Sequence, residues 1–277
     1  MKNRVLLAML IIFIVLSGVW ITCGTIFVVR DVEIIDTTAP AAKVLTESEK
    51  KAIIKTIDIK NKNILFNLNQ EKIAASVKSV SPMLKLQNVT AEFPNRVVLT
   101  VARRVPVYSD GNYFYDAEMC VVEGTATDCI DISGVNLTFN NREFEVGDHV
   151  IGGDARSQCK IDQLKVIASY FPSLKDFNIS YDDRETTVGG KYVCLMLKLD
   201  TGVTFKIKTK PGDNFLQALK FTDQIYKTIA VEGYPNRVYK TMFRYGNNPN
   251  KVATEILDAD GNNIMKDNGK DIVYYEK

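Results

Sequence analysis

The sequence predicts an α+β chain built in succession from a single transmembrane helix, a β-α-α-β-β unit and a mixed β-rich unit with two helices. Three observations carry this reading. Val5 to Val29 is an uncharged run of 25 residues, 16 of them Leu, Ile, Val or Phe. Residues 30–108 pass from strand-like alternation through two capped helical stretches and back to strands. Beyond them, β-branched and aromatic residues recur in short runs broken by Gly, Asn and Pro.

Composition narrows the functions available. With 46% hydrophobic and 25% charged residues over 277 positions, the chain is a folded one. A net charge of +2, from 35 basic and 33 acidic side chains, supplies no bulk field for nucleic acid. One histidine and five scattered cysteines leave little material for a zinc site or a Ser-His-Asp relay.

At about 1.5 Å rise per residue, a helix over residues 5–29 is long enough for the ~30 Å hydrocarbon core of a bilayer. Lys2 and Arg4 lie on the short side, residues 1–4, which the positive-inside rule keeps cytoplasmic and which leaves the rest of the chain outside. The run exceeds the roughly 7 to 15 apolar residues of a cleaved signal peptide, and no Ala-x-Ala stands at its end. Without Lys2 and Arg4 the chain carries 33 bases and 33 acids, so the surplus charge is a topology signal.

The next unit opens with imperfect alternation over Phe27–Ile35. Thr46-Glu-Ser-Glu49 is a capping box, and Ala52, Ile53, Ile54 and Ile57 follow at helical spacing. Asn69 caps a second helix over Gln70–Val80, stopped by Pro82. Leu86–Phe93 and Val97–Val107 then read as strands around the turn pair Pro94-Asn95.

That order, with Phe93-Pro-Asn-Arg-Val-Val-Leu-Thr-Val-Ala-Arg-Arg-Val-Pro-Val107 and Asn63-Ile-Leu-Phe-Asn-Leu68, resembles the POTRA domain of the FtsQ/DivIB family of bacterial cell-division proteins. The resemblance implies a POTRA domain at 30–108, with Pro94, Arg104 and Pro106 as family-motif residues. Arg103 stands where the family has an acid.

Residues 109–260 resemble the family's second, β domain more loosely. Asn112–Val122 and Val135–Val146 carry strand-like residues, and Gln158–Phe171 is helical. Tyr192–Leu199 and Val203–Ile207 form a hairpin about Asp200-Thr-Gly202, and Asp213 or Asn214 caps a helix bearing Phe215, Leu219, Ile225 and Ile229. Arg237–Tyr245 and Lys251–Leu257 are strands, and 261–277 is a C-terminal tail. Cys120 and Cys129 flank eight residues including Gly124, a spacing that permits a loop disulfide without deciding it.

Met242-Phe-Arg-Tyr245 and Val252-Ala-Thr-Glu-Ile256 are similar to the family's last two strands. In that family the terminal strand is an open edge receiving a strand from a small coiled-coil partner, FtsB or DivIC. The resemblance therefore implies partner contacts at Tyr245, Val252, Thr254 and Ile256, with FtsB/DivIC-like and FtsL-like proteins as partners.

Other motifs yield no chemistry. Asp258-Ala-Asp-Gly-Asn262 lacks the glycine position and closing glutamate of a calcium loop, so a hairpin turn is the simpler reading. His149 has no Cys or His close in sequence, and Asp182-Asp-Arg-Glu185 reads as a solvated turn. The expectation is a non-catalytic bitopic membrane scaffold at the division septum, linking early and late septal proteins and helping control septal peptidoglycan synthesis. It requires no cofactor, metal, nucleic acid or small-molecule substrate. The alternatives are a POTRA-containing transport or secretion component and an exported cell-wall enzyme.

Overall fold

The computed structural model describes the backbone of residues 2–40, 42–64, 68–125, 129–141, 143–170, 177–182, 193–210, 213–232, 238–243, 252–257 and 273–275. Within these ranges, side chains are described except at 2–8, 19–23, 170, 228–232, 242–243, 252–257 and 273–275. The chain divides into two compact units, Met1–Val105 and Pro106–Lys277.

Helix α1 runs Lys2–Ile26. Among the described residues, no helix is long and apolar enough to cross a membrane, which corrects the transmembrane helix expected over 5–29. The far end of the expected span is also folded into the first unit. Val29 is fully buried; its N–H donates to Lys62 O (2.9 Å), and its carbonyl accepts from Asn61 N–H (2.8 Å). Val28 bridges Asn63, and the Phe27 ring meets Phe93 edge-on at 5.7 Å.

The first unit places strand β1 (Asp31–Asp36), helices α2 (Glu47–Ile57) and α3 (Gln70–Val80), and strands β2 (Leu84–Glu92) and β3 (Arg96–Arg103) in chain order. The sheet order is β1-β3-β2, with β1 parallel and β2 antiparallel to the central β3. Central position explains the composition of β3: Val97, Leu99 and Val101 are buried on one face and Val98 and Ala102 on the other. The α2 capping box forms, with Glu49 N–H donating to Thr46 Oγ1 (3.2 Å) and Thr46 N–H to Glu49 Oε2 (2.8 Å). Asn69 Oδ1 accepts from Lys72 N–H at the start of α3. Ile53 and Ile57 of α2 and Ile73 and Val77 of α3 supply the helical half of the core.

The second unit begins with a small sheet in the order β6-β5-β4-β7, from Tyr108–Ser109 (β4), Phe114–Tyr115 (β5), Val121–Val122 (β6) and Ile130–Asp131 (β7). These pairs are much shorter than the expected strand over Asn112–Val122. Among the described residues of 135–146, Phe139 forms one isolated bridge to Gly152, and no named strand falls there. Helix α4 (Ala155–Tyr170) follows, then β8 (Phe177–Tyr181), β9 (Val193–Leu199), β10 (Thr204–Thr209), helix α5 (Phe215–Glu232), β11 (Val238–Phe243), β12 (Val252–Leu257) and β13 (Val273–Tyr275).

These last strands make one six-stranded sheet, order β13-β12-β11-β10-β9-β8. The β9–β10 hairpin turns through Gly202, whose positive φ of 85° suits glycine. Helix α5 is the crossover that makes β10 and β11 parallel. One sheet face is core: Phe205 stacks on Tyr239 at 5.4 Å and meets Tyr226 of α5 edge-on at 5.9 Å. The alternate positions form the other face, where Lys198, Lys206, Lys208 and Lys240 lie and Lys206 faces Lys240 across the β10–β11 pair.

Candidate functional site

The edge expected to receive a partner is built by β12. It pairs antiparallel with β11 over six positions, from Val238↔Leu257 to Phe243↔Val252. Its register sets Ile256 opposite Tyr239 and Thr254 opposite Thr241, both buried, so Val252, Thr254 and Ile256 occupy positions on the core face. Ala253, Glu255 and Leu257 occupy the lysine-bearing face, with Glu255 in register with Lys240. Thr222 of α5 donates its hydroxyl to Thr241 Oγ1 (3.1 Å), so a core hydrogen bond braces the strand beside β12. Tyr245 lies outside the described residues.

The edge is not bare. Strand β13 lies along the outer side of β12, pairing Ala253↔Tyr275, Thr254↔Tyr274 and Glu255↔Val273. Part of the expected tail, 261–277, is thus a strand of the sheet, and the middle of the expected open edge is taken by the chain itself. The signal was present in the sequence: Ile272-Val-Tyr-Tyr275 is a run of β-branched and aromatic residues, the types that favour strands.

Pro94, Arg104 and Pro106 lie at a turn, at a strand end and at the start of the second unit. Pro94 follows a cis peptide bond in the turn between β2 and β3, where Asn95 O accepts from Arg30 N–H (2.8 Å) and ties the turn to the start of β1. The Arg104 N–H donates to Met83 O (2.7 Å), and Pro106 is the first residue of the second unit. A Cβ added at Gly124 would meet the Pro106 ring at 3.0 Å and Phe114 at 3.1 Å, so glycine permits that close packing. Arg103 pairs with Glu49 (2.6 Å), the capping-box carboxylate, and its Nε donates to Lys43 O (2.9 Å). Burial alone would push the Glu49 carboxyl up, but bonds from the Thr46 N–H and from Arg103 hold it below its usual range.

Cys120 and Cys129 are both thiols. Cys120 is buried, bridges His149 through its backbone and directs Sγ to Val121 O (3.8 Å); Cys129 Sγ directs to Thr125 O (3.5 Å). Each sulfur is turned to a neighbouring carbonyl.

A cleft of about 530 Å³ lies between α4 and the start of α5, lined by Cys159, Asp162, Gln163, Thr209, Asp213 and Leu216 among others. One lining residue is a thiol, Cys159. Burial, with Asp162 and Asp213 nearby, pushes that thiol up, away from the reactive thiolate. Gln163 Nε2 donates to Thr209 Oγ1 (2.8 Å) and bonds the Cys159 sulfur only weakly, at 3.7 Å. No base is positioned to activate that sulfur by these contacts. Among the described residues, no group of three His, Cys, Asp or Glu could hold a metal ion. Asp182 pairs with Lys206 (3.3 Å), while 183–185 and 258–262 lie outside the described residues.

No protein-family profile matches the chain, and no curated protein does.

Proposed function

We propose that this protein is a non-catalytic scaffold of the bacterial division machinery, of the FtsQ/DivIB kind, which links early and late septal proteins and helps control septal peptidoglycan synthesis. Its partner is a small FtsB/DivIC-like coiled-coil protein, acting with an FtsL-like one, whose strand adds to β12. The observation that carries the reading is this strand: six residues paired with β11, next to the last strand of the sheet, with three positions of its outer side paired among the described residues. Backbone groups along such an edge give affinity, and neighbouring side chains choose the partner. The reading rests on the two folded units and on the sequence resemblance, not on a membrane span.

The test is a photocrosslinking residue at Val252, and separately at Tyr245, in the full chain in dividing cells, followed by identification of the captured protein. A small coiled-coil division protein is expected, with the crosslink lost in Ile256→Pro because proline removes a ladder donor. Capture of a secretion pore or an outer-membrane barrel, or normal septation after depletion, would overturn the proposal.

A further inference from the structure

The cleft between α4 and the start of α5 lies wholly within the second unit, and one of its lining residues carries an unsatisfied polar atom. Gln163 lines the cleft and is only 3% exposed. Its Nε2 is used in the bond to Thr209 (2.8 Å), but its Oε1 has no hydrogen-bond partner. A buried amide oxygen without a donor leaves its desolvation uncompensated, and a donor brought to it removes that deficit. The last torsion of a glutamine is broad, so a small turn of the amide presents Oε1 to a donor that enters the cleft.

The other lining residues indicate what carries that donor. Val166, Phe215 and Leu216 form an apolar wall, and Leu216 remains 37% exposed. The charged lining groups are two carboxylates, Asp162 and Asp213, and one ammonium, Lys210, a surplus of one negative charge. Both carboxylates act on the Cys159 thiol, so their charges reach the same wall. Asp162 is held there by Gln158, whose Nε2 donates to its Oδ1 (2.9 Å). A volume of about 530 Å³, mostly apolar with a few placed polar groups, is that of a small-molecule site. We propose that this cleft binds a small organic ammonium ion, its apolar body against Val166, Phe215 and Leu216, and its N–H donated to Gln163 Oε1 with Asp162 and Asp213 flanking the charge. The site is independent of strand addition at β12, and it calls for no chemistry on the ligand.

The test titrates the full-length chain with three probes that share one apolar body: phenethylammonium, 2-phenylethanol, which keeps a neutral donor, and ethylbenzene, which has none. Amide chemical shifts of residues 159–166 and 213–216 report binding in the cleft, apart from any adsorption to the apolar helix α1. Phenethylammonium should shift these amides saturably, and ethylbenzene should bind about tenfold more weakly because it leaves Oε1 unpaired. Gln163→Leu should weaken the ammonium by a similar factor. Because that residue is buried, two variants at exposed positions test the proposal without it. Asp162→Asn should weaken the ammonium about threefold and leave the alcohol unchanged. Leu216→Trp should fill the cleft and abolish the shifts from all three probes. No saturable shift at these amides, an alcohol or hydrocarbon bound as tightly as the ammonium, or parental binding in both Asp162→Asn and Leu216→Trp would each overturn the proposal.

Discussion

The two units fill their interiors differently. In the first, the described core cluster is Val, Leu and Ile throughout, from Val29 to Val101. In the second, tyrosines and phenylalanines such as Tyr108, Tyr115, Phe205 and Tyr239 join the aliphatics. All the described buried polar and charged side chains, Lys160, Gln163, Thr209, Thr222 and Thr241 among them, lie in the second unit. Lys160 donates to Val135 O (2.8 Å) and sits over the Tyr181 ring at 5.1 Å, while Tyr108 donates its hydroxyl to Leu164 O (2.8 Å). A small aliphatic core has little surplus burial to offset desolvation of polar groups, so the first unit keeps its directional bonds at the margin, in the caps and the Arg103–Glu49 pair. The second can enclose hydrogen bonds and use them to select one packing of its mixed sheet.

The largest effects should come from cavities. Leu99→Ala in the first unit and Leu164→Ala in the second each remove a fully buried side chain and should cost about 2–5 kcal/mol. Hydrogen exchange should place each loss in its own unit; a loss spread over both would break the comparison. Next come the enclosed hydroxyls. Thr222→Val and Thr241→Val should each cost about 1 kcal/mol by removing the bond between the two hydroxyls, and the double variant should cost less than the two together. Strict additivity in denaturant titrations would show that the enclosed bond contributes nothing. Smaller again is Arg103→Met, which should cost up to about 1 kcal/mol and reduce the protection of amides at the start of α2 alone.

The smallest effect is acid sensitivity. Bonds from Thr138 and the Ser157 N–H hold the Asp154 carboxyl down at about 2, and burial opposes them only in part. A carboxyl lowered on folding stabilises the protein above its unfolded range near pH 4, and that contribution disappears as pH falls through the folded value near 2. Asp154→Asn should flatten the fall in stability between pH 4 and 2. In the first unit, Asp36 behaves alike: burial raises its carboxyl, while bonds from Thr38 and the Leu45 N–H lower it further than burial raises it. Asp36→Asn should act in the same direction.

What was legible in the sequence was local. The Thr46 and Asn69 caps are written within four residues, and the central strand is marked by apolar residues at consecutive positions from Val97 to Leu99. What was not legible lies far apart along the chain or in pieces too short to show a period. Arg103 and Glu49 are 54 positions apart, and nothing near either names the other. Two-residue strands such as Val121–Val122 hold no alternation to read. The run from Val5 to Val29 looked uniform, but Phe27–Val29 are claimed by contacts with Phe93, Asn63 and Lys62, which no hydropathy window contains. At the edge expected to take a partner, strand β12 was legible and its pairing with β13 was not, because 15 residues separate the two strands in sequence.

The entry of the chain into the first unit has a mechanical consequence. Helix α1 ends at Ile26, and Val29, three residues on, is already clamped from both sides by main-chain bonds of 2.9 and 2.8 Å to Lys62 and Asn61. A chain joined so closely has almost no slack to absorb torque or tension. A pull on α1 would be borne first by the bond from Ile64 N–H to Phe27 O (2.7 Å) and then by the Val29 clamp, ahead of the β1–β3 ladder.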